Sequence, residues 1–142
     1  MERVTLPSQL VEQMLAQARA SPQAEICGLL AARNGHPGRC IAIRNVAPQP
    51  RCSFSMDPKQ QIDAMRSMRE RGEELYGIYH SHPQGPAEPS ATDLDQAAYP
   101  EALHFIVSLN SDQKPLLRAY RIRNGSAEQV QLVTEPAPGE GR

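Results

Sequence analysis

The 142-residue sequence predicts an α/β fold: a single-domain sandwich in which a mixed β-sheet is flanked by helices. Helical and strand periodicities alternate along the chain, and its last third reads as three successive strands. The apolar runs are short and aliphatic, with no Trp and only 2 Phe. A chain of this length buries roughly 68–70% of the surface its unfolded form exposes, so it needs neither disulfide nor metal to fold.

The elements follow in order. "LPSQLVEQMLAQARASP" places Leu10, Val11, Met14, Leu15 and Ala18 on one helical face, with Pro7 in the first turn and Ser21-Pro22 ending it. "EICGLLAA" reads as a buried strand, and Asn34-Gly35 as a turn into a second strand, "RCIAIRNVA". Beyond the Pro48/Pro50 loop, "CSFSM" reads as a short strand. Asp57 and Pro58 suit an N-cap and a first helical position. The helix they open carries Ile62, Met65 and Met68 on one side and ends near Gly72. "ELYGIYHSH" is the next strand, and a short helix is expected from Ser90 to before Pro100. "LHFIVSL", "LLRAYRIR" and "EQVQLVT" are the last three strands. The reading leaves strand order open. It assigns residues 1–134 to one domain and the proline- and glycine-rich residues 135–142 to a disordered tail.

Composition narrows the function. A net charge of −1 gives no basic footprint for nucleic acid. No apolar run approaches the ~20 residues of a membrane span. Cys27, Cys40 and Cys52 form no C-x-x-C pair and leave one over if two were bridged, which suits reduced thiols. With an N-terminus lacking a signal-peptide core, a cytoplasmic location is expected.

The chemistry concentrates in "YHSHPQGPAEPSATD", residues 79–93. Alternate residues of a strand share a face, so His80 and His82 present two imidazoles side by side. Asp93, returning after the Pro83–Pro89 loop, could add a carboxylate and complete an open N,N,O site of the kind that activates water. Taken alone, each fragment has a bland reading, because H-x-H is often incidental and Ser90/Asp93 also spell a capping box.

Taken together, His80, His82, Pro83, Ser90 and Asp93 fit H-x-H-P-x6-S-x2-D, which resembles the signature of the JAMM (MPN-plus) metalloprotease family, compact prokaryotic type. The resemblance extends to Glu25 ahead of the Cys27-Gly28 pair, and to element order over approximately residues 3 to 133. It implies one zinc per chain held by His80, His82 and Asp93, Glu25 as general base, and Ser90 as hydrogen-bond donor to the oxyanion. It also implies hydrolysis after the C-terminal glycine of a ubiquitin-like or sulfur-carrier protein. The family's wider membership includes metal-free scaffold domains, which remain an alternative. A zinc deaminase shares a broadly similar layout, but H-x-E and P-C-x-x-C are missing, as is the H-E-x-x-H of another protease class.

The remaining polar residues have quieter expectations. Ser81 should face away from the ligands, and Cys27 should pack rather than react. His36 should be solvated, while His104 is either a satisfied core histidine or support for the metal ligands. The run "RSMRERGEE" reads as a solvated helix face.

Overall fold

The computed structural model describes residues 2–110 and 115–136. Its elements are β1 (Arg3–Pro7), α1 (Ser8–Arg19), β2 (Cys27–Arg33), β3 (His36–Ile43), α2 (Pro58–Glu70), β4 (Glu74–His82), α3 (Ala91–Gln96), β5 (Leu103–Ser108), β6 (Leu116–Arg123) and β7 (Ser126–Glu135). The strands form one sheet in the order β1-β7-β6-β5-β4-β2-β3. β4 pairs parallel with β5 and β1 with β7, and the other pairs are antiparallel. The sheet is mixed and helix-flanked, as the sequence predicts.

Each face of the sheet has its own core. On one, α1 delivers Met14 and Ala18 onto Leu30, Tyr79, Phe105 and Val107. On the other, α2 brings Ala64 and Met68 onto Leu29 and Ile78. Farther along that second face, Leu94 and Ala97 cover Ile106 and Ile122. The interval between those two patches holds the chemistry. Two hairpins close on Asn-Gly pairs with positive φ at both residues (Asn34 52°, Gly35 79°; Asn124 54°, Gly125 72°), the backbone twist that such turns require.

The structure departs from the sequence reading in four places. Pro7 closes strand β1 rather than sitting in the first turn of α1. Only Val4 and Leu6 alternate there, too short a pattern to signal an edge strand whose partner, β7, lies at the far end of the chain. "CSFSM" is no strand: one bridge, Asn45 to Met56, replaces a ladder. Ile62 points outward, 58% exposed, because the buried stripe of α2 runs through Ala64 and Met68. β7 extends to Glu135, the first residue assigned to the tail, and residues 137–142 lie outside the described residues.

Candidate active site

His80 and His82 end β4, where alternation turns both imidazoles to the same face, buried to 2% and 6% exposure. Their rings are held differently. His82 Nδ1 lies 2.8 Å from the Pro86 carbonyl oxygen. A carbonyl only accepts, so Nδ1 carries the hydrogen and, in the neutral ring, Nε2 keeps its lone pair. His80 instead stacks on Phe54, centroids 4.5 Å apart and planes 24° from parallel. Its Nδ1 is buried with no partner among the described residues.

The loop after β4 is pinned at three successive carbonyls. Ser108 Oγ donates to Gly85, the His82 ring to Pro86, and Tyr120 hydroxyl to Ala87, at 2.6, 2.8 and 2.5 Å. It delivers Ser90 as N-cap of α3. Ser90 Oγ accepts from Asp93 N–H (3.0 Å), and Ser90 N–H donates to Asp93 Oδ2 (2.8 Å), a complete capping box. That box fixes where Asp93 points. Its Oδ2 lies 3.1 Å from both His80 Nε2 and His82 Nε2, which are themselves 3.1 Å apart.

Such a triangle suits a metal ion. A tetrahedral zinc about 2.0–2.1 Å from each donor sets donor–donor separations of about 3.3 Å, close to those observed. His82 Nε2 and Asp93 Oδ2 face each other lone pair to lone pair, a repulsive contact that a proton or a cation between them makes attractive. Desolvation by burial favours a neutral Asp93. Once a proton stands on the Nε2 atoms, the hydrogen bonds from His80, His82 and the Ser90 amide outweigh it and hold the carboxyl well below the usual carboxylate range.

Glu25 closes the opposite side. It precedes β2, is 5% exposed, and its Oε1 is buried without a partner among the described residues. With His80 and His82 it forms a second three-donor group capable of holding a metal, all atoms within 4.8 Å. Of the two groups, the Asp93 triangle is the tighter. Burial raises the Glu25 pKa to about 7, with the His82 charge opposing and the Asp93 charge assisting.

The residues that hold Glu25 were not legible in the sequence. Asn45 makes four hydrogen bonds: its Nδ2 donates to the Glu25 and Ser53 carbonyls (2.9 and 3.0 Å), and its Oδ1 accepts from Ala47 and Ser55 N–H (2.9 and 3.0 Å). Glu25 N–H donates to the Pro50 carbonyl at 2.7 Å. The segment carrying Phe54 is therefore lashed directly to Glu25. Ser81, on the far side of β4 as expected, accepts from Ile26 N–H at 2.9 Å while its own N–H donates to the Ile26 carbonyl. This clamp fixes the start of β2 beside Glu25.

Other expectations resolve simply. Cys27 is fully buried, and desolvation raises its thiol pKa to about 12, so it stays a packed thiol. His36 is exposed. In the charged run Arg66, Arg69 and Arg71 are exposed, but Glu73 pairs with Arg39 at 2.8 Å. His104 is buried, yet its Nε2 has no partner among the described residues, so it is not a satisfied core histidine.

A mixed helix-flanked sheet bearing this buried His, His and carboxylate constellation defines a JAMM-type metallopeptidase. The chain belongs to the Prok-JAB family, the prokaryotic homologs of the JAB domain, which matches residues 7–123. It is 34% identical over 136 residues to the CysO-cysteine peptidase of Mycobacterium tuberculosis, covering 93% of this chain and 92% of that one. It is 32% identical over 117 residues to the desampylase of Haloferax volcanii, covering 75% and 81%. The solution structure of protein DSY2949 from Desulfitobacterium hafniense superposes with a TM-score of 0.83 at 35% identity, covering 94% and 93%. AF2198, a JAB1/MPN domain protein from Archaeoglobus fulgidus, shares the fold at 20% identity and TM-score 0.57, covering 94% and 99%.

Proposed function

We propose that the protein is a zinc-dependent isopeptidase that cleaves the bond after the C-terminal glycine of a ubiquitin-like or sulfur-carrier protein. In this reading His80, His82 and Asp93 hold one zinc per chain, Glu25 is the general base and Ser90 the oxyanion donor. The observation that carries it is the 3.1 Å triangle of His80 Nε2, His82 Nε2 and Asp93 Oδ2, with Glu25 beside it. The names of the relatives support the substrate class, since one acts on CysO-cysteine and another is a desampylase. No helix among the described residues is long and apolar enough to cross a membrane, which accords with a cytoplasmic setting.

Zinc, when bound, polarises a carbonyl and lowers the pKa of a water from ~15.7 towards ~7. The chain's own groups do the rest. Glu25, with a pKa near 7, accepts the water proton and passes it to the departing amine. Ser90 Oγ already accepts from Asp93 N–H, and its hydroxyl hydrogen remains free to meet the developing oxyanion. Glu25, His82 and Ser90 border a cavity of about 380 Å3 walled by the pinned loop. Because Glu25 must reach the amine nitrogen, that cavity receives the leaving group. Glycine suits the acyl position, since a side chain there would crowd the two buried imidazoles.

The decisive experiment pairs zinc stoichiometry with cleavage of a C-terminal adduct from a glycine-ended ubiquitin-fold carrier. The wild type should hold close to one zinc and cleave. Asp93→Ala should lose most of its zinc, while Glu25→Gln should keep it and lose turnover. No specific zinc in the wild type would favour a scaffold role, and full activity in Glu25→Gln would remove the general base.

A further inference from the structure

The mechanism above leaves one buried polar group unused. His104 stands on β5 opposite Ile78, and Ile106, two residues on, stands opposite His80. His104 therefore shares the face of the metal ligands, one step of about 6.6 Å away from the row of His80. It is 6% exposed, and its Nε2 is buried without a partner among the described residues. The ring borders a cavity of about 210 Å3 walled by Phe54, Ile78, Ala97 and Ile122, which also meets His80 and Asp93. An unpaired buried nitrogen is costly, so a cavity wall that keeps one is completed by something placed against it.

The rim of this cavity is held in an unusual state. Tyr99 has φ 59°, a left-handed conformation uncommon for a bulky residue, and Gln61 Nε2 on α2 donates to its hydroxyl at 3.4 Å. Both residues line the cavity, which is thereby bridged between α2 and the segment after α3.

We infer that this cavity receives the side chain of the third residue from the substrate's C-terminus, and that His104 Nε2 selects an uncharged side chain with a hydrogen-bonding atom. The inference rests on the isopeptidase reading. With the scissile carbonyl at the His80–His82–Asp93 triangle and the amine leaving on the Glu25 side, the acyl chain departs on the other side, where His80 and Asp93 border this cavity. An extended chain advances about 3.3–3.6 Å per residue, so the third residue lies about 7 Å from the last. That matches the step from the His80 row to His104. A terminal glycine has no side chain to fill the space, and its volume admits one side chain rather than a folded surface.

The test is a carrier with a C-terminal lysine adduct, its third-from-last residue varied as Thr against Val and Gln against Met. For the zinc-loaded wild type, kcat/KM should favour the polar member of at least one pair by about tenfold, the worth of one net hydrogen bond. In His104→Leu that ratio should fall to within twofold. Binding of the free glycine-ended tails, followed by calorimetry, should show the same change. Equal rates within both pairs in the wild type overturn the subsite, as does a preference that survives in His104→Leu. Should His104→Leu fail to fold, the wild-type panel decides by itself. Cleavage of none of the carriers overturns the isopeptidase reading and the subsite with it, whereas indiscriminate cleavage overturns the subsite alone.

Discussion

The two candidate ligand histidines are equivalent in the sequence and unequal in the molecule. His82 is oriented by a hydrogen bond to the Pro86 carbonyl, His80 by a stacked phenyl ring. Partners that orient ligands commonly contribute 10–100-fold in metal affinity. Phe54→Ala should therefore weaken zinc binding about tenfold, read by competition with a chromogenic chelator, because the stacked phenyl ring sets the plane of the His80 imidazole. Unchanged affinity would mean that burial alone orients it. Ser90→Ala has a different expected signature, about a 10²–10³-fold loss in kcat with KM little changed, since the oxyanion exists only in the transition state. A loss confined to zinc content would show instead that Ser90 matters only as the cap that aims Asp93.

At the scale of elements, local patterns were legible and bridging contacts were not. His80, His82, Ser90 and Asp93 could be read because alternation along a strand and the i, i+3 spacing of a capping box are properties of a few neighbouring residues. Glu25 was legible only through family resemblance, since nothing in its own neighbourhood marks a base. Asn45 and Phe54 escaped because their roles depend on which distant carbonyls and rings the loop meets after folding. β1 escaped for a similar reason: its partner β7 is more than a hundred residues away. Asn45→Ala would leave two carbonyls and two amides to find new partners around Glu25. We expect a loss of about 2–3 kcal/mol in thermal or denaturant unfolding. We also expect a fall in kcat with zinc retained, and normal kcat would show that the loop does not position Glu25. Gly28 illustrates a constraint between elements. A Cβ there would lie 2.2 Å from the Tyr79 hydroxyl oxygen, whose hydrogen goes to Gln17 Oε1 at 2.6 Å. Gly28→Ala should cost about 1–3 kcal/mol by overpacking the contact between β2, β4 and α1.

For the whole molecule, the site opposes stability when metal is absent. Glu25 is raised from 4.5 to about 7 by burial, so the folded state binds a proton more tightly than the unfolded chain does. That contribution is fully present below pH 4.5 and is lost as pH rises through about 7. Relative to Glu25→Gln, metal-free protein should consequently lose about 1–3 kcal/mol of stability across this window, measurable by denaturant titration of both. Burial lowers the pKa of His80 and takes that of His104 down to about 4, which acts in the opposite sense but equally in the two proteins. Glu25→Gln should lack this component and be the more stable protein at pH 8. Parallel profiles for the two proteins would mean that water reaches the carboxylate. The fold itself should persist without metal, because its two aliphatic cores lie on either face of the sheet and neither is built around the ligands.

The parallel pairing of β4 with β5 has a further consequence. Parallel neighbours cannot be joined by a tight turn, so the chain must travel from His82 to Leu103 by a long crossover. That crossover carries Ser90 and Asp93, forms the wall of the cavity beside Glu25 and supplies Tyr99 to the one beside His104. Half of the reactive centre thus travels on a detour that the topology demands in any case. Residues 83–102 form a cassette: specificity can be rewritten by exchanging one contiguous stretch, while the strands that carry the imidazoles are inherited unchanged.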